Sequence, residues 1–180
     1  MDTSTITLLN YASNAVAAIA FLALPLLIVN WVKYMRSLPS SGITSVTRWA
    51  NFPTKSVLFF IAPIIVSMTI SNFITSVVRS QVLAFLNSLP AQHGVFINGK
   101  PAQNPEVVLA TLRTVAPLMA HHSHPTSTVR IEVQTKGKSL NLQLGRDSGV
   151  SQEYWVFYPG YPVTALNEIG RITTPVFNGY

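Results

Sequence analysis

The stretch VLFFIAPIIVSMTISNFITSVV, residues 57–78, carries no charged side chain and lies between Lys55 and Arg79. A bilayer core takes roughly 20 mostly apolar residues in one helix, and a stretch apolar on every face has no amphipathic part to play at a water surface. The expectation is a transmembrane helix. Val82, Leu86 and Leu89 keep helical spacing beyond it while Arg79, Gln81 and Asn87 are polar. The helix should therefore run on to Pro90, because the residue before a proline avoids the α region. Residues 56–89, at about 1.5 Å each, give about 50 Å, which exceeds a hydrocarbon core of about 30 Å. The last turns are expected to form a stalk.

A second charge-free stretch separates Asp2 from Lys33 and is densest in apolar residues from Tyr11 to Trp31. Its acidic start and its length do not suit a cleaved leader. It reads as a first transmembrane helix over residues 11–34, after a short N-terminus of residues 1–10, with a kink at Pro25 and interfacial aromatics at Tyr11, Trp31 and Tyr34. Around the loop of residues 35–55, Lys33, Arg36, Arg48 and Lys55 meet no acidic residue. The excess of positive charge on cytoplasmic loops places this loop inside and both termini outside.

The expected class is thus a membrane protein. A helical hairpin of two transmembrane α-helices precedes a small extracytoplasmic α+β domain over residues 92–180, which in a bacterium makes a multi-pass inner-membrane protein with a periplasmic domain. Composition agrees, because 48% hydrophobic and 10% charged residues among 180 is too apolar for an ordinary soluble domain. There is no cysteine, which excludes disulfides, thiolate zinc sites and cysteine nucleophiles. Neither span holds an acid or base mid-membrane, which speaks against a transporter or pump. Ser13 with Ala17, and Ser67 with Ser71, allow close helix approach, read as packing of the hairpin on itself. Asn14, Asn30 and Asn72 are candidates for interhelical hydrogen bonds.

In the outer domain, residues 94–97 read as a strand and Asn98-Gly99 as a hairpin turn, with Pro101 confining the returning strand to an edge. Asn104-Pro105-Glu106 reads as the N-terminus of a helix with Val108, Leu112 and Val115 on one face, ending near Pro117. Residues 127–135 alternate, with Val129, Ile131 and Val133 opposite Arg130, Glu132 and Gln134. Leu140, Leu142 and Leu144 alternate again after Lys136-Gly137-Lys138, so the two stretches make a hairpin. Strands are expected at residues 154–158 and 171–173. The result is one helix on an antiparallel sheet. Trp155 and Phe157 face one side and Tyr154 and Tyr158 the other, with the tyrosines on the outer surface.

Three constellations invite chemistry. His121, His122 and His124 crowd one stretch, and His122 with His124 would share a face of extended backbone and serve as two ligands of a zinc or copper ion. Loop histidines explain them more simply. Gly145-Arg146-Asp147-Ser148-Gly149 offers Asp and Ser that, with a distant histidine, invite a serine-hydrolase reading, yet it lacks the strand-to-helix elbow of such an enzyme. A turn held by side-chain bonds to backbone amides explains it better. The charge of +6 comes with no nucleic-acid-binding signature, and Arg130, Lys136, Lys138 and Arg146 suggest a basic patch.

These readings converge on a non-enzymatic, membrane-anchored binding module without a cofactor. Its exported domain would contact a protein partner through Tyr154, Tyr158, Arg130 and Arg146, as in accessory subunits of envelope complexes or toxin-immunity proteins. Besides the lipid bilayer, a further copy of the chain is a possible partner, and nucleic acid is not expected. The alternative is a metal-dependent enzyme, or a metal or pH sensor, built on residues 121–124.

Overall fold

A computed structural model describes residues 3–38, 52–117, 122–160 and 167–180. It contains two long apolar helices, α1 (Thr3–Ser37) and α2 (Thr54–Asn87), each long and apolar enough to cross a membrane. α1 continues through Pro25 and α2 through Pro63. The chain forms two compact units, one of Leu8–Phe73 and one of Met1–Thr7 with Ile74–Tyr180.

In the first unit α1 and α2 run antiparallel. Ser13 Oγ lies 3.0 Å from Ser67 Oγ and 3.2 Å from Ser71 Oγ, and it donates to the Ser67 carbonyl at 3.1 Å. Toward the other end, Asn30 Nδ2 donates to Ser56 Oγ at 2.7 Å. Small hydroxyl residues let the two backbones come close while satisfying one another, so the serine spacing packs the hairpin on itself. Trp31, Tyr34 and Phe52 cluster with ring centroids 5.6–5.9 Å apart. Surfaces turned away from the partner helix are apolar, with Phe21 76%, Leu22 72% and Leu58 64% exposed.

The second unit is built on a six-stranded antiparallel sheet of order β2-β1-β3-β4-β5-β6. The strands are β1 (Gly94–Ile97), β2 (Lys100–Pro101), β3 (Pro125–Thr135), β4 (Lys138–Asp147), β5 (Glu153–Phe157) and β6 (Glu168–Thr173), with α3 (Pro105–Leu112) between β2 and β3. Asn98 and Gly99 both have positive φ, 51° and 78°, the pair of left-handed residues that a tight two-residue hairpin needs. Val129, Ile131 and Val133 stand opposite Leu144, Leu142 and Leu140 on one face, and all six are buried. The same face takes Val95, Ile97, Tyr154, Val156 and Ile172.

That face is closed by helix. Ile74, Val78, Val82 and Leu86, at four-residue spacing on α2, are all buried, as are Val108, Leu109 and Leu112 on α3. Each such side chain contributes about 1.5–3 kcal/mol when removed from water. Two arginines fix the helix in place. Arg79 Nε donates to the carbonyl of Ile169 on β6, and Arg113 donates through Nε and Nη2 to the carbonyl of Leu86 at 3.2 and 2.8 Å. A cation on the last carbonyls of a helix also suits its dipole. The residues expected to form a stalk therefore pack within the unit that contains the sheet, and along α2 that unit begins at Ile74.

α3 is shorter than the spacing suggests. It ends at Leu112, where Arg113 turns to α2, and the chain then straightens so that Ala116 exchanges backbone hydrogen bonds with Arg171 at 3.1 and 2.9 Å. Val115 still reaches the core, although from extended backbone. Asn104 precedes Pro105 as expected but makes no side-chain cap.

Candidate functional site

The face of the sheet away from the helices holds the opposite parity of every strand. On β3 and β4 the cross-strand pairs Arg130–Gln143 and Glu132–Asn141 lie side by side on it. They floor a groove of about 620 Å³ whose rim includes Asn98, Gly99 and Pro159. Asn98 is fixed there because its Oδ1 accepts from the Arg130 backbone N–H at 2.9 Å and its own N–H donates to the Arg130 carbonyl at 2.8 Å. Gln134 Nε2 donates to Glu132 Oε1 at 2.7 Å. Phe96 on β1 stands opposite Glu132, and Phe157 on β5 opposite Gln143, so half-buried aromatic rings flank the polar floor on both sides. One cation, one anion and several amides, bordered by rings, form a surface with donors and acceptors suited to an extended, polar, uncharged chain.

Beside the groove the same face is dry and ionic. Arg171 on β6 is 2% exposed, and its Nη1 lies 2.9 Å from Glu153 Oε1 and its Nε 3.1 Å from Glu168 Oε1. The guanidinium centre sits 3.8 Å above the Trp155 ring. Trp155 Nε1 donates to Asp147 Oδ2 at 2.7 Å, and Ser123 Oγ donates to the same oxygen. Asp147 Oδ1 accepts from the backbone N–H groups of Gly149 (2.7 Å) and Val150 (2.8 Å). Burial pushes the Asp147 carboxyl up, yet the hydrogen bonds from Ser123, Trp155, Val150 and Gly149 outweigh it and hold the group well below the usual carboxylate range.

Of the residues expected to bind, Arg130 lies in this groove and the others do not. Tyr154 is a correction. It is 1% exposed, its ring meets Phe177 edge-on at 5.6 Å, and its hydroxyl donates to Asn178 Oδ1 at 2.9 Å. The reason is register, because Leu144 and Ile172 face the helices and their neighbours across β5 are Val156 and Tyr154. Trp155 and Phe157 consequently take the far face, stacked at 6.5 Å, which reverses the expected assignment of the two pairs. A register shift follows Val156, and the half-buried Tyr158 folds its ring over Gly160. Arg146 shares the helix-side parity of Tyr154 and donates through Nε to the Ser151 carbonyl at 2.9 Å.

His121 and Arg48 lie outside the described residues. His122 and His124 are exposed, and no group of three His, Asp or Glu side chains set for a metal occurs among the described residues. Ser148 Oγ lies 3.4 Å from His124 Nδ1, while the backbones of the two residues bond through Ser148 N–H at 3.0 Å. The adjacent carboxylate, Asp147, is held by Ser123, Trp155 and the backbone N–H groups of Gly149 and Val150. The segment is a turn tied by its aspartate, as its composition suggests.

Comparison with protein-family profiles, with characterised proteins and with solved structures finds no significant match.

Proposed function

We propose that this chain is a membrane-anchored binding module, and that the groove on the open face of its sheet holds an extended segment of a protein partner. The observation that carries this reading is the groove over Arg130, Glu132, Asn141 and Gln143 on a sheet whose two edges are already closed. β2 is two residues long and ends in Pro101. On β6 the N–H and carbonyl of Arg171 are taken by Ala116, and the carbonyl of Ile169 by Arg79. A partner strand would find few free backbone groups at such edges, so contact falls to the face. The two apolar helices support residence in a bilayer, and the basic loop between them supports a cytoplasmic loop with the folded domain on the other side.

The test is a photo-crosslinking amino acid placed at Gln143, with Lys136 on the β3–β4 turn as the control, in native membranes. An adduct formed from position 143, absent from position 136 and lost with Arg130→Glu, is the expected result. Adducts of equal yield from both positions would overturn the groove as the site. A reporter that works only in the cytoplasm, fused after Tyr180, should stay silent, and a strong signal would reverse the topology.

A further inference from the structure

Ser13 touches Ser67 and Ser71 at 3.0–3.2 Å, and Asn30 touches Ser56, which fixes how α1 and α2 are rotated against each other. One residue further along an α-helix is a turn of about 100°. In two antiparallel helices the steps from Ser13 to Asn14 and from Ser71 to Asn72 swing toward the same side of the hairpin. The crevice on the opposite side agrees, since Val16 and Ile19 line it together with Phe59, Ala62 and Val66. Asn14 and Asn72 are both exposed, and the neighbouring polar side chains on this side are Tyr11, Ser76 and Thr69, whose hydroxyl donates to its own helix at Ile65.

Resting on the reading that these helices span a bilayer, we infer that a second copy of this chain covers the Asn14–Asn72 side and that the asparagines hydrogen-bond across a twofold axis. About 20 residues of helix cross the hydrocarbon. Counted from Asn30 on α1 and Ser56 on α2, that length places both asparagines within the last helical turn before its outer boundary. An amide facing acyl chains there has two donors and an acceptor to satisfy. Another asparagine complements it in donors and acceptors, and an isologous pair exchanges two N–H···O bonds, one donated by each amide. Between Asp2 and Lys33 and between Lys55 and Arg79 the helices carry no charge that would call for a differently charged partner. Ala18, one turn from Asn14, is exposed and small enough to let a second backbone approach.

The chain has no cysteine, so single cysteines report neighbours without background. Ala18→Cys lies on the asparagine side and Ile19→Cys on the crevice side. Each full-length variant is oxidised in membranes that have first been extracted at alkaline pH. Ala18→Cys should give a disulfide-linked dimer and Ile19→Cys at least about tenfold less, a contrast of about 1.4 kcal/mol if read as an equilibrium. Adding Asn14→Leu and Asn72→Leu should remove the Ala18→Cys dimer, while Asn14→Gln retains it. Equal yields at positions 18 and 19, or a dimer indifferent to both leucines, would overturn the twofold contact although the chain stays in the membrane. Release of the chain by alkaline extraction would instead overturn the membrane reading and the contact with it.

Discussion

Arg171→Met should be among the most damaging single substitutions in the domain, and the geometry sets its size. The guanidinium is 2% exposed and faces Glu153, 10% exposed, at 2.9 Å. Without the cation, a nearly buried carboxylate stays behind in a site built to oppose a positive charge. Breaking a buried pair from one side costs about 3–5 kcal/mol, whereas replacing both partners by apolar groups costs far less. Glu168 is 25% exposed, so water screens its share, and Glu168→Gln should cost about 1 kcal/mol or less. Methionine keeps the apolar stem over Trp155 but loses the cation–π contact, worth about 1 kcal/mol. Urea unfolding of the full chain in detergent measures all of this through Trp155, with Trp31→Phe and Trp49→Phe removing the other two indoles. At a typical slope of about 2 kcal/mol per molar urea, Arg171→Met should lower the midpoint by about 2 M. The double variant Arg171→Met/Glu153→Leu should recover at least about half of that loss. A midpoint within about 0.3 M of the parent for Arg171→Met, or a double variant no better than the single, would refute the assignment of the stability to a buried ion pair.

Leu142 is 1% exposed toward the helices, so Leu142→Asp should unfold the domain by several kcal/mol, whereas Gln143→Asp should leave its unfolding midpoint unchanged within about 0.5 kcal/mol; equal tolerance in a protease-resistance assay would mean that the register is wrong. The folded-state pKa of Asp147 is depressed, so its contribution is fully present above the unfolded value near about 3.9 and is lost as pH falls below it. Asp147→Asn should therefore flatten the acid side of a stability–pH curve, and an unchanged acid limb would contradict the hydrogen-bond account. Gly170 has φ 153°, and a Cβ there would sit 2.7 Å from the Ala116 carbonyl and 2.9 Å from Val115 Cγ1, while at Gly137 (φ 87°) nothing lies within 4 Å. Gly170→Ala should lower thermal stability by about 2–4 kcal/mol and Gly137→Ala by about 1 kcal/mol, and the reverse order would remove the packed crossing of β6 from the core.

The strands were legible because period-two alternation writes the buried face into the sequence, as at Val129, Ile131, Val133 and Leu140, Leu142, Leu144. The Asn98-Gly99 turn was equally plain, since few residue pairs take two positive φ values at low cost. β5 shows where alternation stops informing. Glu153, Tyr154, Trp155, Val156 and Phe157 are buried or half-buried on both parities, so pattern separates two faces without saying which is inward. The neighbours Leu144 and Ile172 decide that, through pairing that no local signal contains. The groove was half visible. Arg130, Glu132, Asn141 and Gln143 are the polar members of the alternating hairpin, and a solvated face would have the same composition. What distinguishes them is the pairing of Arg130 with Gln143 and Glu132 with Asn141, together with an edge closed by the backbone of Ala116 and the side chain of Arg79. A carbonyl acceptor leaves no trace in residue type.

The same limit governs the end of the long helix. Absence of charge runs to Val78, yet Ile74 and Val78 are each 1% exposed within the unit that holds the sheet, so composition assigns to lipid two residues that packing assigns to protein. Residues 56–73, which remain, span about 27 Å of helix at about 1.5 Å each, close to the hydrocarbon thickness of about 30 Å. The excess length that suggested a stalk is thereby accounted for by the stripe Ile74, Val78, Val82 and Leu86. Arg79, which reads as a polar interruption of the apolar run, and Arg113 are the residues that fasten this stripe through the carbonyls of Ile169 and Leu86. A single helix thus supplies apolar surface to two different environments, and the passage between them is set by where a sheet covers it rather than by any change in hydropathy.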